Sequence, residues 1–168
     1  IYESKLDQSD AAFVILQAAF REDYSNDSTA RELERLASST GKWTELLTEY
    51  TTMVRSIPDP KVAADLWVKI GGWYGDELGH LDYAIQSVQQ ALGLAPDHSA
   101  ALQKLASFFR RANRWQELAS VLSRHAEVEE DSDKKIETLL ALAELWESQL
   151  GDERNAILAY QQAIVTDG

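Results

Sequence analysis

Apolar residues recur along this chain at helical spacing, and the runs they form come in pairs. In the stretch VAADLWVKIGGWY, which starts at Val62, the residues Leu66, Trp67, Ile70, Trp73 and Tyr74 fall on one side of a helix. Gly79 follows, and glycine suits the left-handed residue that ends a helix. A second run then carries Ala84, Ile85, Val88, Ala91 and Leu92 inward, with Asp82 as its expected cap. Pro96-Asp97 breaks the chain before the pattern restarts. All three prolines, Pro58, Pro60 and Pro96, lie in such breaks. Asp59-Pro60 has the order of a cap followed by a first helical residue. The pattern predicts helix pairs over 28–40 with 43–55, 61–78 with 81–94, 98–112 with 115–127, and 133–150 with 153–165. Ahead of them it predicts the tail of one helix near 1–7 and a second helix near 10–22. No strand pattern occurs.

The pairs repeat. LGHLDYAIQSVQQAL from Leu78 aligns with LGDERNAILAYQQAI from Leu150 at an offset of 72, and GKWTELL from Gly41 aligns with NRWQELA from Asn113 at the same offset. The turn column reads Asp7, Gly41, Gly79, Asn113 and Gly151, spaced 34, 38, 34 and 38. A second column reads Ala12, Leu46, Ala84, Leu118 and Ala156, and a third reads Leu16, Tyr50, Val88, Leu122 and Tyr160. Three columns in one register over the whole chain define a repeat protein.

These columns resemble the tetratricopeptide repeat, whose pattern is W-x2-L-G-x2-Y, then A-x3-F, then P, over about 34 residues. The fullest match to that pattern is Trp67, Ile70, Gly71 and Tyr74, followed by Ala84, Val88, Ala91 and Pro96. The fourth unit matches through Leu139, Leu142, Ala143, Trp146, Ala156, Tyr160 and Ala163. The third matches through Leu102, Leu105, Ala106, Phe109, Asn113 and Leu122, and the first through Ala30, Leu33, Glu34, Ala37, Tyr50 and Pro58. The resemblance implies an all-α fold: a right-handed superhelical solenoid of antiparallel helix pairs, with four full repeats plus a partial N-terminal one. The expected division is a partial repeat at 1–26 and repeats at about 27–60, 61–98, 99–132 and 133–168 within one solenoid.

The chain departs from the family in ways with physical consequences. Units two and four carry one extra residue before the turn glycine, between Tyr74 and Gly79 and between Trp146 and Gly151. Units one and three place Leu46 and Leu118 where the family has a small residue, and Met53 and His125 where units two and four keep Ala91 and Ala163. Larger residues push helix axes apart, so the helix spacing is expected to alternate.

A solenoid unit cannot bury its apolar face alone, and end units need polar caps. Ile1, Phe13, Leu158 and Ile164 are expected to leave apolar surface at the two ends, as in a segment of a longer array. The family resemblance implies a protein or peptide partner held in a concave groove lined by the first helix of each unit. In this register the groove residues are Arg31, Arg35 and Ser38 in unit one; Asp65, Val68, Gly72 and Asp76 in unit two; Gln103, Ser107 and Arg111 in unit three; and Glu137, Leu140 and Glu144 in unit four. Such a groove would be basic in units one and three and acidic in unit four. The Lys and Asn set with which some family members grip a chaperone's C-terminal carboxylates is missing from these positions. The competing expectation is a structural spacer or self-association module, assembling end to end within a larger protein.

Composition narrows the remaining classes. Sixteen basic against 28 acidic residues give a net charge of −12, which repels nucleic acid and anionic membrane surfaces. No apolar run reaches the roughly 18 residues of a membrane helix, so membrane insertion is not expected. There are no cysteines, which excludes disulfides and thiolate metal sites and favours a reducing compartment such as the cytoplasm.

No enzyme or cofactor is expected. His80, His98 and His125 lack partners at metal-ligand spacing; the first two fall in turns, and the third belongs to a core-facing column. The glycines at 71, 72 and 75 lack the Lys-Ser/Thr of a phosphate loop, and Gly71 reads as a site of close helix packing. The acidic stretch 127–135 lacks a calcium-loop pattern and reads as a polar loop. Asn26-Asp27-Ser28 fits a glycosylation triplet. Trp43 and Trp115, equivalent across the offset, read as core.

Overall fold

The computed structural model describes residues 2–168, with side chains described at residue 5 and at 7–168. Among the described residues there are nine α-helices and no strand: α1 (Tyr2–Glu22), α2 (Asp27–Thr40), α3 (Trp43–Met53), α4 (Pro60–Gly72), α5 (Leu81–Leu94), α6 (Ser99–Arg111), α7 (Trp115–Val128), α8 (Ser132–Ser148) and α9 (Glu153–Asp167). A 3-10 turn, Val54–Ser56, extends α3, and a π turn, Trp73–Glu77, extends α4.

The hairpins close where the sequence places them. Gly41, Gly79 and Gly151 have φ of +70°, +69° and +63°, and Asn113 has φ of +55°. Only glycine and, less readily, asparagine adopt this conformation without steric cost. In units one and three the amide after the turn residue reaches back five residues, Lys42 N–H to Ala37 O and Arg114 N–H to Phe109 O. In units two and four the equivalent amide spans six, His80 N–H to Tyr74 O and Asp152 N–H to Trp146 O, both at 2.8 Å. The extra residue noted in the sequence is thus absorbed in a widened last turn. Leu78 N–H to Trp73 O and Leu150 N–H to Leu145 O make the matching wide bonds.

Asp7 is the exception in its column. It lies inside α1, which runs unbroken through it. The expected break between helices near 7 and 10 does not occur, because Asp7-Gln8-Ser9-Asp10 offers no glycine or asparagine to turn on. Ser9 Oγ donates instead to Lys5 O one turn back. The N-terminal partial unit is a single long helix.

Side-chain caps set the starts of α2, α4, α8 and α9. Asn26 Oδ1 accepts from Thr29 N–H, Asp131 Oδ1 from Lys134 N–H and Asp152 Oδ1 from Asn155 N–H. Asp59 Oδ1 accepts from both Lys61 and Val62 N–H, with Pro60 at the first helical position. Asp82 does not cap α5: that helix begins at Leu81, and His80 precedes it with no side-chain bond. The acidic stretch 127–135 is not a long loop either. α7 continues to Val128 and α8 begins at Ser132, because Asp131 caps α8 and Glu129 Oε1 accepts from Asp131 N–H.

One core runs from α1 to α9. At the N-terminal end Phe20, Tyr24, Tyr50 and Trp73 meet in edge-to-face and tilted pairs, with centroids 5.3–6.3 Å apart. Phe13 is buried, contrary to expectation, beneath Lys42 Nζ 5.4 Å from its ring centroid. Phe13, Gln17 and Phe20 form the inward stripe of α1, and the exposed apolar residues there are Val14 and Ile15. Leu158 and Ile164 are exposed on α9 as expected. Ile1 lies outside the described residues.

Helix spacing alternates as the residue sizes require. The α4/α5 and α8/α9 hairpins approach far more closely than α2/α3, with α6/α7 between. Leu46 sits fully buried in the loose hairpin, where Ala84 stands in the tight one. A Cβ on Gly71 would stand 2.5 Å from Val88 Cγ2, and one on Gly75 would stand 2.4 Å from Phe108 Cε1. Neither position has room for a side chain, so both glycines are packing residues of the tight hairpin and its neighbour.

Candidate functional site

The first helices of the four units, α2, α4, α6 and α8, carry the expected groove residues. Each presents its small or apolar positions to the core and leaves the flanking positions outward. Arg31 and Arg35 on α2, Asp65 on α4, Gln103 and Arg111 on α6, and Leu140 and Glu144 on α8 are exposed. Val68, Gly72 and Ser107 are half-buried, and Val68 packs against the core.

Polar contacts tie neighbouring first helices together, and none was anticipated from sequence. Lys69 Nζ of α4 lies 3.3 Å from Asp27 Oδ1 of α2, and Trp73 Nε1 donates to Glu34 Oε1 of α2 at 2.7 Å. Between α4 and α6, His98 Nε2 lies 2.6 Å from Asp65 Oδ1. His98 Nδ1 accepts from Ala101 N–H, so Nε2 carries the proton and donates to Asp65. His98 is therefore not a bare turn residue; it caps α6 and joins it to α4. The π turn supplies the densest link. Asp76 accepts from Lys104 Nζ at 2.5 Å and from Arg111 Nη1 at 2.8 Å, while Arg111 Nη2 donates to Gly75 O at 2.7 Å.

These contacts change the electrostatics expected of the face. Arg35 is paired with Glu32 of its own helix through Nε and Nη2. The hydrogen bond from Arg35 holds the Glu32 carboxyl below its ordinary value and raises the guanidinium. Lys104 and Arg111 share Asp76. The positive charge of units one and three is thus largely balanced in place, and the acidic character of unit four remains. Glu144 borders a recess of about 240 Å³ that Arg110 and Trp115 also line.

The buried histidine is a packing residue. His125 is 5% exposed. Its Nε2 lies 3.1 Å from Ser99 Oγ and 3.5 Å from Glu129 Oε2, and its Nδ1 lies 3.4 Å from Thr138 Oγ1. The carboxylate stands on the same nitrogen as the serine, not on the opposite one, so it cannot orient the ring as a base toward that hydroxyl. His80 is exposed beside Tyr83. Among the described residues no group of three or more acidic or histidine side chains converges as a metal site, and no helix is long and apolar enough to cross a membrane.

The family model for the tetratricopeptide repeat matches residues 101–136. This is the third unit, not the second, whose motif residues look fullest. Unit three keeps the ordinary turn, whereas unit two carries the inserted residue and the π turn. A comparison with curated protein sequences gives no match. Among solved structures the chain is similar to MamA (TM-score 0.61, 14% identity, 99% of this chain and 92% of that one). It is similar to YrrB, described as a tetratricopeptide protein with an unusual peptide-binding site (TM-score 0.57, 13% identity, 97% and 80%). It is also similar to BtubC from P. vanneervenii (TM-score 0.50, 13% identity, 98% and 90%). At these identities the likeness is one of fold, and it spans nearly the whole chain. A recognisable tetratricopeptide repeat thus lies at residues 101–136, and nearly the whole chain has the helical solenoid fold of the tetratricopeptide proteins to which it is similar.

Proposed function

We propose that the face formed by α2, α4, α6 and α8 binds a peptide or protein partner, as tetratricopeptide solenoids commonly do. The observation that carries this reading is the set of side-to-side bonds between α2, α4 and α6: Lys69 to Asp27, Trp73 to Glu34, His98 to Asp65, and Asp76 to Lys104 and Arg111. A surface braced in this way meets a partner preorganised, which lowers the ordering cost of association. The exposed residues of that face, Arg31, Arg35, Asp65, Gln103, Arg111, Leu140 and Glu144, then read the ligand, with Val68, Gly72 and Ser107 forming the floor. The fold shared with YrrB, itself a peptide-binding tetratricopeptide protein, supports the same reading.

The test is affinity capture with the chain as bait, repeated with Arg31→Glu combined with Arg35→Glu. The double variant should keep its helical content and lose the partner. Undiminished capture by that variant rejects the face.

A second reading, self-association, is favoured by one observation. Ile157, Leu158, Ile164 and Val165 are 49–80% exposed on α9, and Val14 and Ile15 are 61% and 68% exposed on α1. Light scattering over a range of concentrations tests it. A constant monomer mass rejects it, and oligomers that Ile164→Asp disperses support it.

A further inference from the structure

A second kind of opening lies between successive second helices, away from the polar face of the first helices. Between α3 and α5 a cleft of about 600 Å³ is walled by Thr51, Arg55, Trp67, Tyr74, Tyr83 and Gln86, among others. Shifting these positions by 72 gives Ser123, Glu127, Leu139, Trp146, Asn155 and Leu158, and these line two adjoining recesses of about 460 and 700 Å³ between α7 and α9. The cleft is therefore a built feature of the double unit, created twice by the wide spacing of alternate hairpins. Its size is that of ligand and peptide sites, about 300–1,000 Å³.

The two copies differ in chemistry, and the difference identifies an occupant for the first. Among the described residues, Arg55 is the one charged side chain on the walls of the first cleft and no carboxylate lines it, although the chain as a whole carries −12. Glu127 takes the place of Arg55 in the second copy, with Asp97, Arg124 and Lys135 nearby. The first copy is also aromatic. Tyr74 and Tyr83 lie with centroids 5.3 Å apart and planes inclined at 31°, and Tyr83 is 58% exposed. The open side of such a ring offers a face against which a further aromatic ring can pack. On the opposite wall the Thr51 hydroxyl is buried and has no hydrogen-bond partner among the described residues.

We propose that the α3/α5 cleft docks a short segment of a partner protein that carries an aromatic side chain beside a carboxylate. The aromatic ring stacks against Tyr83 and Tyr74, and the carboxylate pairs with Arg55. Neither the acidic run at 127–131, which holds no aromatic residue, nor the exposed aliphatic residues of α9 supply that pair from a second copy of this chain. The site is separate from the face of the first helices and does not depend on it.

The experiment pans a random-peptide display library against the immobilised chain and against three variants whose fold is checked by circular dichroism: Arg55→Glu, Tyr83→Ala, and Arg31→Glu with Arg35→Glu. The expected result is enrichment of peptides pairing an aromatic with an acidic residue. A synthetic copy of the leading peptide should bind about tenfold more weakly to Arg55→Glu and to Tyr83→Ala and equally well to the Arg31/Arg35 variant. Arg55→Glu, which reproduces the charge of the second copy, should enrich basic peptides in their place. Four outcomes would overturn the proposal: no enrichment over a blank surface, enrichment of basic peptides on the unaltered chain, binding indifferent to Arg55 and Tyr83, or binding lost only with Arg31 and Arg35.

Discussion

Replacing Gly71 by alanine should destabilise the protein, while the same change one residue later should stabilise it. A Cβ at position 71 would stand 2.5 Å from Val88 Cγ2 and 3.2 Å from Ala84 O. Val88 is fully buried, and a β-branched side chain on a helix has little freedom to rotate away. Relief then requires α4 and α5 to separate. Alanine gains about 1 kcal/mol over glycine in a helix interior, whereas overpacking a filled core costs about 1–3 kcal/mol. The two effects leave a net loss of up to about 2 kcal/mol. At Gly72 the nearest heavy atom to an added Cβ is Lys104 Cε at 3.4 Å, the far end of a flexible side chain. That site should keep the full gain of about 1 kcal/mol. In a Val88→Ala background the 2.5 Å contact is gone and only Ala84 O at 3.2 Å remains tight, so Gly71→Ala should be clearly less destabilising there than in the unaltered chain. Urea unfolding followed by far-ultraviolet circular dichroism measures all three differences. If Gly71→Ala stabilises as much as Gly72→Ala, or responds the same way with and without Val88, the close approach of α4 and α5 does not hold.

Three further outcomes follow from other parts of the fold. Asp59→Ala removes two cap hydrogen bonds and should cost about 1 kcal/mol, read as a melting midpoint about 2–4 °C lower. Burial raises the Tyr50 hydroxyl above its ordinary ionisation range, so the folded chain keeps it neutral while the unfolded chain ionises above about pH 10. Stability from this group is full below that pH and declines above it, and urea midpoints measured on either side should fall less steeply in Tyr50→Phe. Asp76→Ala leaves Lys104 and Arg111 without their shared partner at a partly exposed site. It should cost less than about 1 kcal/mol, and the deficit should shrink at high salt.

The turns were the most legible part of the sequence, because a left-handed residue strongly selects glycine or asparagine, and Gly41, Gly79, Asn113 and Gly151 all carry that conformation. Asp7 shared their register without their chemistry, and there the register misled. Helix spacing was legible for the same kind of reason: the size of Leu46 or Ala84 at one column fixes how near two axes come. The extra residues of units two and four could be counted in advance, but not the π turn that one of them forms. Exposure at most of the expected groove positions was legible, and their charge pairing was not. Arg111 and Lys104 reach Asp76 across 35 and 28 residues of sequence, and pairings of that kind depend on how neighbouring helices are juxtaposed. Phe13 failed for a related reason: several faces of α1 are apolar, and only packing against its neighbours decides which is inward.

Alternation between a tight hairpin and a loose one gives this array a grain. Neighbouring hairpins are unlike, so each joint is made between one of either kind. Removing or duplicating one hairpin would set like against like and spoil the fit at the seam. Removing or duplicating a block of two would restore every joint as it was. Such a protein grows or shrinks in even steps, and its natural building block is twice the length of a single repeat.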